Sequence, residues 1–295
     1  MNSKSKAWLE ATRPRTLPVS VAGVLAGSAC ATFARSFELT PALCCLLFAL
    51  GAQIASNFAN EYYDYKNGFD RKGREGFRRG VTEGDISPAA MKRATFLTLL
   101  LAAIPGLALI HWGGWWLLTA GILIAIFALA YSTGPYPLSH HGLGDIAVII
   151  FFGIVPVMFT AWLQNHTTHI LPQSTLLGLG VGLLAANVLI VNNYRDLEDD
   201  KRVGKHTTVV VFGRPAMSRV YLIFSITGLI LLCAPAMIHP WAVLPLIMIP
   251  AALRNHRTLT AGAGAALNPL LKNTARLLLL ATLLLILESI FSLLL

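Results

Sequence analysis

Charged side chains are what this sequence has least of. From residue 146 to residue 194 there is not one Asp, Glu, Lys or Arg. Only 13% of the 295 residues are charged while 55% are hydrophobic, too few polar groups to cover a water-soluble protein of this size. A soluble enzyme is thereby excluded, and the chain belongs in a lipid bilayer. Cysteine is sparse as well. Cys30, Cys44, Cys45 and Cys233 fall inside apolar runs at no zinc-ligand spacing, so packing is their expected role. The start, MNSKSKAWLEATRPRTLP, lacks the short apolar stretch and small-residue cleavage site of a secretory signal, so the first apolar run is expected to be kept as structure.

What is present is a series of charge-free runs. A helix needs about 20 apolar residues to span the hydrocarbon core. Thr16–Ala34 and Leu39–Asn60 supply one span each. Ala94–Gly144 supplies two, divided at HWGGWW (111–116), and Ile146–Tyr194 two more, divided at QNHTTH (164–169). Val220–Leu253 divides at His239–Pro240 into a full span and a short one carrying Pro245 and Pro250; Leu277–Leu295 is the last. The expectation is an all-α integral membrane protein, one domain over residues 1–295 with nine transmembrane helices. Of the 23 Lys and Arg, only Arg35 lies outside the amino-terminal segment and the loops between spans 2 and 3, 6 and 7, and 8 and 9. The positive-inside rule then makes the amino terminus and those loops cytoplasmic, with the carboxyl terminus outside a multi-pass cell (plasma) membrane. The net charge of +9 reads as topology and contact with anionic lipid, not as nucleic-acid binding.

Two acidic segments break the pattern. NEYYD (60–64) and NNYRD (192–196) share N-x-Y-x-D, and each sits where an apolar run reaches the cytoplasmic face. Helix positions four apart share a face at about 6 Å. Asn60 and Asp64 therefore lie on one stripe and Asn192, Asp196 and Asp200 on another, with Asp70 following past an Asn-Gly turn. Carboxylates and amides are hard oxygen ligands suited to Mg²⁺, which keeps coordination sites free for substrate phosphates. Lys66 and Arg71 to Arg79 follow the first stripe; Arg195, Lys201, Arg202 and Lys205 interleave with the second. Acid and base together suit a magnesium-bound diphosphate, and ionisable groups at helix ends inside a bundle are functional candidates. Most of Arg71 to Arg79 is expected only to satisfy the charge rule, and Glu198 and Asp199 to be solvated.

NEYYDYKNGFD resembles the first motif, and NNYRDLEDDKRVGKHT the second motif, of the UbiA-type membrane prenyltransferases. RPRTLPVSVAG (13–23), GPYPLSHHGLGD (134–145) and GKHTTVVVFG (204–213) are similar to the family's menaquinone branch. The likeness runs from about residue 8 to residue 215. It departs in having Pro135 where other branches place a lysine after Tyr131, Asp145 where Glu is frequent, and Thr208 where Leu is frequent.

The resemblance implies helices around a central cavity and an enzyme that transfers a polyprenyl group from polyprenyl diphosphate to 1,4-dihydroxy-2-naphthoate, with decarboxylation to demethylmenaquinone. It implies Mg²⁺ held by Asp64, Asp70, Asp196 and Asp200, with Asp64, Asp196 and Arg195 catalytic. Asn60, Lys66, Asn192, Arg195 and Lys205 would contact the diphosphate; Arg13, Tyr131, His141 and Asp145 the aromatic acceptor. Arg15 is a second candidate for the acceptor's carboxylate, His140 or His141 for a base, and Tyr62 and Tyr194 for shielding a carbocation. The prenyl tail is expected to leave through a portal lined by GLGVGLLAAN (178–187), and Glu288 to be drawn to the outer interface. Other aromatic acceptors such as 4-hydroxybenzoate remain open, as does a cation-coupled transporter, whose sites would sit nearer the midplane.

Overall fold

A computed structural model describes residues 3–294 of the chain. The described residues form helices and turns. A short helix α1 (Ser3–Ala11) precedes α2 (Pro18–Phe33) and the long α3 (Leu39–Lys66). A strap, residues 67–87, leads to α4 (Pro88–Ala108), whose start is set by Pro88 in the first turn and by Ser87 Oγ accepting from the Ala90 amide at 3.3 Å. The one-turn α5 (Ile110–Gly113) and α6 (Trp116–Ala130) follow. Next come α7 (Gly144–Val148), a π-helical turn over Ile149–Ile154, and α8 (Val155–Asn165), continuous in direction as one apolar rod. The widened turn falls just ahead of Pro156, which has no amide to donate. Helices α9 (Leu171–Arg195), α10 (Leu197–Arg202), α11 (Thr208–Leu232), α12 (Ile249–Ala261) and α13 (Asn268–Phe291) complete the chain.

Helix α9 is the hub. It packs on α2, α8, α11, α13 and the π-helical turn, and most of its apolar stretch is buried, where the other long helices bury half or less. Small residues permit that centrality, because lipid offers no hydrophobic drive for helix association and close backbone approach must supply the contact energy. A Cβ added at Gly153 would lie 2.4 Å from Gly182 Cα and 2.3 Å from the Gly178 oxygen. Residues 178–187 are thus a packing seam. They do not form the lipid-facing portal expected from their size, because small side chains let helices close together as readily as they leave a gap.

Six helices are long and apolar enough to cross a membrane: Leu39–Lys66, Pro88–Gly113, Gly144–Asn165, Thr168–Arg195, Thr208–Leu232 and Gly264–Phe291. Pro18–Phe33 and Trp116–Ala130 are apolar but shorter. Length and composition therefore support six crossings outright where charge-free runs suggest nine. The boundaries differ too. Helix α13 begins at Asn268 and not Leu277, and α11 at Thr208 and not Val220, because Lys272, Arg276, Arg214 and Arg219 sit on helical turns that continue past the apolar core. The expected short eighth span is displaced to α12, whose Arg254 and Arg257 face outward. Glu288, in the last turns of α13, is buried against the protein: it is 2% exposed and accepts the Leu244 amide.

Candidate active site

The last turns of α3 build the first half of the site. Its polar stripe holds the segment before α2: Gln53 donates to the Thr16 carbonyl and Asn57 to the Thr12 carbonyl, each at 3.0 Å. Between those anchors Arg13 takes a left-handed φ of 55°, and its guanidinium donates to Asn60 Oδ1. Asn60 in turn donates to Ser132 Oγ (3.1 Å) and Asp64 Oδ2 (3.3 Å). Past Lys66 the chain reverses at Gly68, whose φ of 74° suits glycine. The amides of Phe69 and Asp70 then return to the Asp64 carbonyl at 2.8 and 3.2 Å, which folds Asp70 back beside Asp64.

The second half is the junction of α9 and α10. Arg195 Nε and Nη2 grip Asp196 at 2.7 and 2.8 Å, while Nη2 also reaches Asn192 Oδ1 (2.8 Å) and Nη1 Asn268 Oδ1 (3.1 Å). Phe77 lies between guanidiniums, with Arg15 3.9 Å and Arg195 5.2 Å from its ring centre. Gly76 permits this stacking, because an added Cβ would lie 2.7 Å from Arg195 Nη2.

Two cations join the halves. Arg74 pairs with Asp70 and, at 2.8 Å, with Asp196. Lys205 Nζ lies 2.9 Å from Asp64 Oδ2, and His140 Nε2 3.2 Å from Asp64 Oδ1. Burial alone pushes the Asp196 carboxyl up, but Arg195, Arg74 and Arg79 outweigh it and hold it below the usual carboxylate range. Burial pushes Asp200 up to about 7, with Lys205 opposing and the Asp196 charge adding. Arg74 shows the converse: burial disfavours its charge, yet Asp70, Asp196 and Asp64 hold its pKa above the usual value. For Arg13, burial and then the Arg79 charge push the value down to about 9 against Glu61, Asp70 and Asp64.

A cavity of about 480 Å³ opens between these groups and runs along apolar side chains of α3, α4, α6 and α8. Asn60, Asp64, Asn192, Arg195, Asp196, Asp200 and Lys205 line its polar end, with Arg13, Tyr131 and Asp145 beside them. Leu107, Leu118, Ile122 and Phe127 both line it and are 41–52% exposed, so its apolar end opens sideways between α4, α6 and the α7–α8 rod. Other expected residues lie off the wall. Lys66 is exposed; His141 stacks on Tyr136 at 3.7 Å with Nδ1 tied to the Pro137 carbonyl. Tyr62 packs with Trp8 and Phe58, and Tyr194 sits in the core with Arg214 over its ring, so neither faces a cation in the cavity. Asp70 lies beneath Arg74.

Sequence reasoning missed the strap. Arg74 and Arg79 do more than satisfy the charge rule, and Asp199 is not merely solvated: it accepts the Glu75 amide at 3.0 Å. Glu75 accepts from the Ala265 amide (2.9 Å) and Glu61 from the Val81 amide (3.0 Å), which pins the strap at both ends. No local signal set Arg74 apart from its neighbours: it meets Asp70, four residues earlier, across a turn and not along a helix.

The donor set fits a hard divalent cation. Among the described residues no three carboxylate, imidazole or thiolate groups converge as a ready metal cluster; Arg74 and Lys205 bridge the acids instead. Yet the donors are oxygens throughout, and the buried Asp70 Oδ2 accepts no hydrogen bond.

Residues 20–262 match the model of the UbiA prenyltransferase family. The chain belongs to that family. A relative in Escherichia coli (strain K12), 1,4-dihydroxy-2-naphthoate octaprenyltransferase, is 36% identical over 98% of this chain and 97% of its own. Two solved structures share the fold: an apo UbiA homologue from Aeropyrum pernix K1 at a TM-score of 0.69 (15% identity, 100% of both chains), and a UbiA homologue from Archaeoglobus fulgidus bound to GPP and Mg²⁺ at 0.65 (18% identity, 95% of this chain and 99% of that one). This UbiA protein is accordingly an all-helical membrane enzyme whose two acidic segments meet at one cavity mouth.

Proposed function

We propose that the protein transfers a polyprenyl group from a polyprenyl diphosphate to 1,4-dihydroxy-2-naphthoate, releasing diphosphate and CO₂. The observation that carries this reading is the pairing of Arg74 with Asp70 and Asp196, and of Lys205 with Asp64, which draws the two N-x-Y-x-D segments together at the end of an apolar cavity. The name of the E. coli relative supports the acceptor and the donor class.

The reaction breaks the allylic C1–O bond and forms a carbon–carbon bond to the ring. Loss of the carboxylate from the carbon attacked supplies the electron pair that restores aromaticity, so no ring proton needs a base. The immediate product is the hydroquinone; demethylmenaquinone follows by oxidation. Mg²⁺ held by Asp64, Asp70, Asp196 and Asp200 would bind the diphosphate and neutralise its developing charge. Lys205, Arg195, Asn60 and Asn192 contact the diphosphate oxygens. Lys66 would have to swing in from solvent. Arg13 meets the acceptor's carboxylate, and Tyr131 and Asp145 its hydroxyl groups; His141, off the wall, is not part of this set. The apolar walls exclude water from an electron-poor allylic carbon, and the tail leaves past Leu118 and Ile122. The Lys/Arg bias supports a cytoplasmic amino terminus and site in the plasma membrane, with nine crossings.

The test supplies purified protein with Mg²⁺, a prenyl diphosphate and equal amounts of 1,4-dihydroxy-2-naphthoate and 4-hydroxybenzoate. Mass spectrometry is expected to find only the prenylated, decarboxylated naphthohydroquinone, and none after chelation of the metal. Exclusive prenylation of hydroxybenzoate would overturn the acceptor, and no prenylated product at all would overturn the reaction.

A further inference from the structure

The main cavity reaches the protein surface at its polar end as well as sideways. Arg15 and Arg78 line it there and are exposed. The reacting end is nonetheless sheltered, with Asp64, Asp196 and Arg195 each 2% exposed. Between them and the surface stands a stack in three layers. Arg15, exposed, lies over the Phe77 ring at 3.9 Å; Phe77 is half-buried and lines the cavity; Arg195, buried, lies 5.2 Å from the same ring.

Each layer comes from a different part of the chain. Arg195, at the end of α9, spends its N–H edge on Asp196, Asn192 and Asn268, which leaves its face for the ring. Phe77 packs on the core cluster around α9, and the strap beside it is anchored through Glu75, whose amide donates to Asp199 and whose carboxylate accepts the Ala265 amide. Arg15, in the segment before α2, joins no ion pair among the described residues. What its charge meets is the negative face of the Phe77 ring.

We propose that the Arg15–Phe77–Arg195 stack is the water seal on the polar end of the cavity, and that Phe77 is thereby the residue that decides between prenyl transfer and hydrolysis. An allylic carbon losing diphosphate accepts any nucleophile in reach. With the stack open, a water oxygen bonds to C1, the C1–O bond to diphosphate breaks and the water gives up a proton to solvent, so the products are a prenyl alcohol and diphosphate in place of a prenylated ring. The chemistry rests on the prenyl-transfer reading, whereas the seal itself rests on the stack. A leucine would fill the space of the ring without attracting either guanidinium, so the hold is electrostatic as well as steric.

Purified protein in nanodiscs is given Mg²⁺, geranyl diphosphate and saturating 1,4-dihydroxy-2-naphthoate, and the ratio of prenyl alcohol to prenylated ring is measured. Phe77→Leu and Arg15→Gln should each raise that ratio about fivefold, the order of one cation–π contact, with KM for the naphthoate as in the parent. Phe77→Tyr, which keeps the ring face, should stay near the parent, and the double variant should rise no further than the larger single one, because both remove the same contact. Unchanged ratios in Phe77→Leu and Arg15→Gln, an equal rise in Phe77→Tyr, or multiplying effects in the double variant overturn the proposal. So does a raised KM without added hydrolysis in Arg15→Gln, which would make Arg15 a substrate contact. A second readout needs no turnover. Ser56 lines the cavity about one helical turn beyond Asn60, and Ser56→Cys should react several-fold faster with a charged, lipid-excluded thiosulfonate when Phe77→Leu or Arg15→Gln is added, the site of labelling being located by mass spectrometry; equal rates overturn the seal. Should the parent form neither alcohol nor prenylated ring, the prenyl-transfer reading falls, and the labelling rates still decide whether the stack closes the cavity.

Discussion

Thr208 and Asp145, two departures from the family pattern far apart in sequence, touch. The Thr208 hydroxyl donates to Asp145 Oδ2 at 2.5 Å, while Asp145 Oδ1 is buried without a partner on the cavity wall. A carboxylate one methylene shorter than Glu needs a donor brought to it, and Thr at 208 provides one where Leu could not. Thr208→Val should therefore cost about 1–3 kcal/mol, the penalty of a buried group stripped of its partner, and raise KM for the aromatic acceptor more than it lowers kcat. In thermal melts and acceptor kinetics, the pair Asp145→Glu with Thr208→Leu should recover most of both losses; additive losses would show the two positions to be uncoupled. No reading of one chain could have joined them, since nothing local marks a contact over that separation. By contrast Asp64, Asp196 and Asp200 were legible, because helical spacing alone places them with Asn60 and Asn192 at the end of an apolar run. Arg74 was not, because the charge rule makes every cytoplasmic arginine look alike.

Among elements, α9 and α6 carry opposite roles, and composition misassigned that of α9. Residues 178–187 are small because α9 is gripped on all sides, with Gly182 against the backbone at Ile149 and Gly180 against Gly228. Helix α6 buries none of its residues, and Ile122, at its middle, is 52% exposed while lining the cavity. The sideways opening is therefore at α6. Ile122→Trp should slow transfer of long prenyl chains several-fold while leaving a short allylic diphosphate nearly untouched, measured as kcat/KM for each donor length. Equal loss for both lengths would place the opening elsewhere. Hydropathy showed that both segments were apolar helices, but a Gly/Ala stripe and a Leu/Ile stripe do not state which partner they meet, and that information lies in the packing.

At the scale of the molecule, length and charge give different counts of crossings. Helices α2 and α6 have 16 and 15 residues, about 24 and 22 Å at 1.5 Å per residue, against a hydrocarbon core of about 30 Å. Neither reaches across unaided. Both are nonetheless walls of the one cavity, α2 is almost wholly buried against α13 and α8, and a bundle can thin the bilayer around short members. The segment from Leu244 to Ala261 closes the same bundle through its contacts with α11 and α13. If all three cross with the six long helices, the count is odd and the termini lie on opposite sides, as the arginine and lysine bias requires. A carboxyl-terminal fusion settles it: alkaline phosphatase should be active and green fluorescent protein dark, because that end lies outside the cytoplasm. The reverse pattern would mean an even number of crossings and a carboxyl terminus on the cytoplasmic side with the acidic site, so that one of the three short segments lies in the interface, where α12, with Arg254 and Arg257 exposed, is the best suited.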